Sequence, residues 1–445
     1  MKKLVFMLGV LCVFSGLILA FQMSSDVEIK WPEWRGPLGN GISPDGKFPL
    51  EWSESKNVKW KIAIPGKGHS TPIIWGDQIF LSTAAETDKE GKPEVQDDGA
   101  QRGRGMPTTQ TTKIHKFFVM AINRNDGDVL WQTTVKEEWP QEGTHEFGSW
   151  ASNSPLTDGE NIYAYFGSRG IYCLDMKGRV LWERDFGQLN KRMNFGEGSS
   201  PALYGDKIVI TWDHEGQSFI IALDKKTGKD IWKVNRDEGT SWASPFIVES
   251  NGKPQVITSA SSLIRSYDLA TGDLIWECAG MTANAIPMPV EANGIVYLMS
   301  GYRGNALLAI RLSEAKGNIT GTETIIWKYD KDTPYTPSPL LFEDHLYFLK
   351  SNNGILSCFN AKTGKAFYSN QRLEGMGNIF TSPVFADNKI IILGQKGTAY
   401  VVKHGPQFEI LAKNQLDDNF NASPVVVGNQ LFLRGYKNLY CIEEN

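Results

Sequence analysis

Ala222-Leu223-Asp224-Lys225-Lys226-Thr227-Gly228-Lys229-Asp230-Ile231-Trp232 is the stretch whose repetition decides the fold. It links an apolar run, residues 219–224, to a short strand centred on Trp232. Asp224 offers a side-chain acceptor and Gly228 can take positive φ, the two things a tight turn needs. Reading backwards, Ser200-Pro201 opens the strand Ala202-Leu203-Tyr204. The turn Gly205-Asp206 follows, then the strand 207–212. Proline at the first position of a strand is one of the few places a sheet tolerates it. Residues 200–232 thus spell four short antiparallel strands.

The same unit recurs along the chain. The turn and tryptophan stand again as Asn123…Gly127…Trp131, Asp175…Gly178…Trp182 and Asp268…Gly272…Trp276. Degraded copies end at Trp327, Tyr368 and Leu411. The opening step stands at Thr71-Pro72, Ser154-Pro155, Ser244-Pro245, Ser338-Pro339, Ser382-Pro383 and Ser423-Pro424, with Met288-Pro289 filling the one gap. From Pro155 to Pro424 successive prolines lie 41 to 50 residues apart, the period of a four-stranded propeller blade. Pro72 and Pro155 are 83 apart because a polar insertion, about 86–113, lies between them.

Counting units gives a closure rule. After Pro424 the chain holds only three strands, while an orphan strand, Val58-Lys59-Trp60-Lys61-Ile62, precedes the first Thr-Pro. If the orphan completes the last unit, eight four-stranded antiparallel blades close into one all-β ring without exposed edges. The expected organisation is a leader at 1–21, a lead-in segment at 22–57 and an eight-bladed β-propeller at 58–445. Trp60, Trp131, Trp182, Trp232, Trp276 and Trp327 are read as wedges docking one sheet on the next. Cys173, Cys358 and Cys441 take the place held by Ala121 and Ala222, an interior strand position. Equivalent positions in separate repeats are held apart, so no disulfide is expected among them.

The leader has Lys2-Lys3 followed by an uncharged, mostly apolar run at 4–21. That pattern is an export signal, either cleaved or retained as a membrane tether, and it places the protein in the periplasm or cell envelope. A formal charge of −4 and no basic stripe exclude a nucleic-acid partner. The six histidines show no metal-ligand spacing.

The pattern Ala222 to Trp232 resembles the tryptophan-docking motif of quinoprotein alcohol dehydrogenases, and the repeat is similar to that of BamB, a non-enzymatic propeller subunit of the outer-membrane assembly machinery. The opening Trp31-Pro32-Glu33-Trp34-Arg35-Gly36-Pro37, with Gly39 and Gly41, looks like that of exported bacterial PQQ-like propeller proteins. The resemblance covers residues 31 to 445. It implies the fold strongly and the activity weakly.

A quinoprotein dehydrogenase needs calcium, oxygen ligands to hold it and a carboxylate base. The resemblance further implies a vicinal cysteine pair and roofing insertions, and this chain has neither. The reading is a non-catalytic exported propeller, monomeric as a ring, that binds a protein or small ligand at one face without a cofactor. The alternative is a PQQ- and calcium-dependent dehydrogenase of an alcohol or sugar. The loops before each innermost strand ring one mouth of the channel, and they nominate His69, Trp150, Asn153, Glu197, Asp213, Trp242, Asn284, Tyr335 and Asn421 as ligand contacts. Under the alternative, Trp150 and Trp242 floor the cofactor while Glu197, Asp213 and Asn284 supply oxygens.

Overall fold

A computed structural model describes residues 30–91 and 108–444. The leader, and the part of the polar insertion at 92–107, lie outside the described residues. Eight sheets of four or five strands form the blades of the ring. Blade 1 holds Ile73–Trp75, Gln78–Glu90, Lys113–Asn123 and Val129–Glu138; blade 3 holds Ala202–Tyr204, Lys207–Trp212, Ser218–Asp224 and Asp230–Arg236. Blades 2 and 4 to 7 follow the same order. The two ends of the insertion extend the central hairpin of blade 1.

Blade 8 closes the ring. Val58–Ala63 pairs antiparallel with Asn438–Ile442, and Trp60 stands opposite Cys441. That register is the repeat's own: Ala121 faces Trp131, Cys173 faces Trp182 and Ala222 faces Trp232. A small residue opposite each tryptophan leaves room for the indole to lean toward the next blade. Cys173, Cys278, Cys358 and Cys441 are buried free thiols. Burial pushes the thiols of Cys173, Cys358 and Cys441 up to about 12, so they pack as small apolar groups.

Two recurring contacts explain why the repeat is so regular. The first is the tryptophan. The indole N–H of Trp131 donates to Met176 O at 3.0 Å, that of Trp182 to Lys225 O at 3.1 Å, that of Trp232 to Leu269 O at 3.0 Å and that of Trp327 to Ala361 O at 2.8 Å. Each ring lies on the turn glycine of the next blade. A Cβ on Gly228 would fall 2.6 Å from Trp182, and Gly228 has φ +66°. Glycine is required there by both conformation and contact. Trp60 repeats the contact across the closure, donating to Arg124 O at 3.0 Å beside Gly127.

The second contact is a ring of hydroxyls. The N–H of Thr71 donates to Ser154 Oγ, that of Ser154 to Ser200 Oγ and that of Ser200 to Ser244 Oγ. The N–H of Met288 donates to Ser338 Oγ, that of Ser338 to Ser382 Oγ, that of Ser382 to Ser423 Oγ and that of Ser423 to Thr71 Oγ1. The residue before each proline is therefore a clasp between blades, which the sequence reading treated only as a strand opening. Met288 has no hydroxyl, so the step from blade 4 to blade 5 has no such clasp.

At that same step Trp276 is wedged against blade 5 but makes a different polar contact. It is fully buried, but its N–H donates to Gln255 Oε1 within its own blade. Blade 5 carries Leu312–Asn318 in place of the short turn, and its Gly317–Asn318 runs parallel to the outer strand of blade 4, opposite Trp276. A backbone pairing thus substitutes for the indole dock.

From Lys30 onward the lead-in segment is built into the ring. Lys30–Trp31 pairs with the innermost strand of blade 1. The chain then crosses to the far side of the channel: Pro32 O accepts from Thr157 N, Gly41 O from Phe385 N, and Lys47 N donates to Gly428 O. Arg35 is buried where it crosses, and its guanidinium donates to Pro383 O and Pro339 O, each at 3.1 Å, and to Asn40 O at 2.9 Å. Burial lowers this guanidinium to about 9. The inner strand edges of blades 1, 2, 7 and 8 are capped by this segment.

Candidate functional site

The loops before the innermost strands surround a cavity of about 380 Å³ at one mouth of the channel. His69, Glu197, Trp242, Tyr335 and Asn421, five of the nine nominated contacts, line it. Trp34, His145, Phe147, Phe195, Asn352, Asn378 and Phe380 line it too, with hydroxyl residues such as Ser152 and Thr336 and the apolar Ile286 between them. Trp34 comes from the lead-in segment, so no repeat pattern could have placed it here.

Each wall residue is held by contacts that dictate its chemistry. His69 is half-buried and stacks on Tyr436 with centroids 4.8 Å apart. Burial, with Lys67 and Arg434 nearby, holds its pKa well below the ordinary histidine value, so it is neutral. Its Nε2 has no partner within the protein. His145 Nδ1 accepts from Phe147 N at 3.2 Å, which puts a neutral ring's proton on Nε2. Burial lowers this ring's pKa too. The Asn421 amide donates to Phe147 O at 2.7 Å and to Tyr436 Oη at 2.8 Å, while its buried Oδ1 stays unpaired. Trp242 is anchored by an N–H donated to Gly196 O at 2.8 Å. Tyr335 stacks on Tyr302 at 4.9 Å.

Glu197 borders the cavity, but its carboxylate is already engaged. It accepts from Ser168 N at 2.8 Å, from Ser168 Oγ at 2.6 Å and from Arg169 at 3.1 Å. Gly167 makes this approach possible, since a Cβ there would lie 1.3 Å from a Glu197 oxygen. Behind it sits Glu142, whose carboxyl is pushed up to about 8 by burial and then by Glu197.

The other four nominated residues, Trp150, Asn153, Asp213 and Asn284, stand outside the cavity lining. Trp150 packs on His115 at 4.6 Å and donates to Glu142 O. Asn153 is buried and donates to Ser199 O at 2.6 Å, bridging blades 2 and 3. Asp213 is 1 % exposed and accepts a two-pronged contact from Arg236, at 2.8 and 3.1 Å, plus Ser241 Oγ at 2.7 Å. Asn284 is buried and stands outside the cavity lining, with φ +56°. An acid counts as a cavity ligand only if no nearer cation claims it, and Arg236 lies 23 residues from Asp213 with no motif to announce it.

The wall does not fit the quinone cofactor and calcium of the alternative reading. Among the described residues, no lysine or arginine lines the cavity to meet an anionic quinone, and its one carboxylate is bound to Ser168 and Arg169. The acids meant to hold a cation, Glu197 and Asp213, are both paired with arginines, and Trp150 faces away.

Comparison with known proteins agrees with the fold and divides on activity. The family of outer membrane protein assembly factor BamB matches residues 115–370 and 260–445. The chain belongs to this family. A BamB of Shewanella oneidensis is 20% identical over 266 residues, 55% of this chain and 62% of that protein. The match therefore spans less than two thirds of that relative. A quinoprotein alcohol dehydrogenase of Pseudomonas putida is 21% identical over 78% of this chain and 49% of its own length. The crystal structure of BamB from Moraxella catarrhalis superposes with a TM-score of 0.56 at 14% identity, over 82% of this chain and 99% of that one. The last likeness speaks for the fold alone.

Proposed function

We propose that this BamB-family propeller is a non-catalytic binding module of the bacterial cell envelope. Its mouth cavity takes a neutral, aromatic-bearing segment of an envelope protein or a comparable uncharged ligand. One observation carries the reading: the cavity wall is aromatic rings, amides, hydroxyls and neutral histidines, and its one carboxylate is tied to Ser168 and Arg169. Such a wall offers stacking and a few directed hydrogen bonds, and no carboxylate free to act as a base or hold a cation. The unpaired Asn421 Oδ1 suits a backbone N–H donor of an incoming chain, and the unpaired His69 Nε2 offers a second polar contact. The assembly role named for its relatives and the export signal of the sequence favour a protein partner outside the cytoplasm.

A random peptide display library tests this. Neutral, aromatic-bearing peptides should be enriched, with binding lost in Trp242→Ala and Tyr335→Ala. No enrichment, or binding indifferent to both substitutions, would overturn the proposal.

A further inference from the structure

On the opposite face, blades 6 and 7 meet without the usual indole dock. Tyr368 stands where the tryptophan should be, and its hydroxyl has no partner. The facing turn of blade 7 reads His404-Gly405-Pro406 in place of Asp-x-x-Thr-Gly. At this junction Glu343 and His345, from the first turn of blade 6, meet His404 from blade 7. One ligand atom from each can be chosen so that all lie within 4.8 Å of one another. We propose that Glu343, His345 and His404 form a binding site for a zinc-class transition-metal dication that staples blade 6 to blade 7. The proposal stands apart from the mouth cavity and does not rest on it.

The geometry is that of a three-ligand site with an open position. His404 Nε2 and Glu343 Oε2 are 3.4 Å apart. Two donors on a tetrahedral ion with bonds of about 2.1 Å are themselves separated by about 3.4 Å. The two imidazoles meet edge to face at 4.6 Å. Both ring nitrogens of His345 are shut off from solvent, and neither has a hydrogen-bond partner, so the ring is held with a lone pair unspent. Phe367 fixes that ring by stacking at 4.6 Å.

His404 is oriented as a ligand needs to be. Its Nδ1 lies 2.8 Å from Tyr347 Oη, and Gly405 N–H donates to the same oxygen at 2.9 Å. That oxygen has two acceptor sites, so it can also take a proton from Nδ1 and leave the Nε2 lone pair for a metal. Phe342 and Phe385 pack on the His404 ring and keep water from its sides. Glu343 is the exposed member and closes the site as a charged arm.

Equilibrium dialysis of the full, tag-free chain with zinc chloride, after chelator treatment, tests the assignment. The expected result is one equivalent of zinc per chain and a raised melting temperature, with magnesium chloride giving neither. His404→Ala should abolish binding. Tyr347→Phe should weaken it about 10-fold, as for loss of an outer-shell partner. Glu343→Gln, exposed and harmless to the fold, should weaken it as well. Cobalt(II) should give visible absorption bands in the parent chain that are absent in the Glu343→Gln and His404→Ala variants. No zinc uptake by the parent chain, or uptake and cobalt bands unchanged in Glu343→Gln and His404→Ala, would overturn the proposal.

Discussion

Trp232→Ala removes one clasp from the ring and exposes the logic of the repeat. The indole is 9 % exposed, lies against Gly272 and donates to Leu269 O at 3.0 Å. Loss of a buried tryptophan leaves a cavity costing about 3–5 kcal/mol. The severed hydrogen bond contributes about 1 kcal/mol of that total. Trp232→Phe keeps most of the apolar contact and loses the bond, so it should cost about 1–2 kcal/mol. Urea unfolding followed by far-UV circular dichroism reads both, and the midpoints should fall in the order parent, Phe, Ala with unchanged slope. A Trp232→Ala protein as stable as the parent would refute the docking role, most plainly if it also lost binding at the mouth.

Deleting residues 22–64 takes away the closing strand, Trp60 and the channel segment together; the unfolding free energy should drop by several kcal/mol, on the order of a lost ladder plus a lost tryptophan, and an unchanged melting curve would break the closure. Glu142 carries its proton in the fold up to about 8, while an unfolded glutamate loses it near 4.5. Stability should therefore fall as pH rises from about 4.5 to 8. Glu142→Gln should flatten that slope, and an identical pH profile in the variant would show the assignment wrong. Arg35→Ala removes the bonds to Pro339 and Pro383; limited proteolysis should then cut within residues 36–50, a region expected to resist in the parent.

How legible each part was follows from where its determinants lie. The blades could be read because Trp232, Gly228 and Ser200 each serve a contact repeated around the ring, so the same chemistry returns every forty-odd residues. Trp60 could be placed because an incomplete last unit demanded it. Trp276 packs against blade 5 as a wedge should, but its hydrogen-bond partner could not be read, because the insertion Leu312–Asn318 replaces the turn glycine. The mouth was legible only in part. His69 and Trp242 fall at fixed offsets before the proline step, whereas Trp34 arrives from outside the repeats and Asp213 is claimed by Arg236 across a hairpin. His345 and His404 lie 59 residues apart with no spacing to join them, and only the packing of adjacent blades brings their rings together.

The central claim is binding without turnover, and one measurement reaches it directly. The purified protein is mixed with PQQ, calcium and a dye acceptor, and dye reduction is followed over a panel of alcohols and sugars. The account predicts no stoichiometric PQQ uptake and no substrate-dependent reduction, because Glu197 is bound to Ser168 and Arg169 and Asp213 to Arg236. Steady turnover that disappears in Glu197→Gln or Asp213→Asn would contradict it and establish the dehydrogenase in its place.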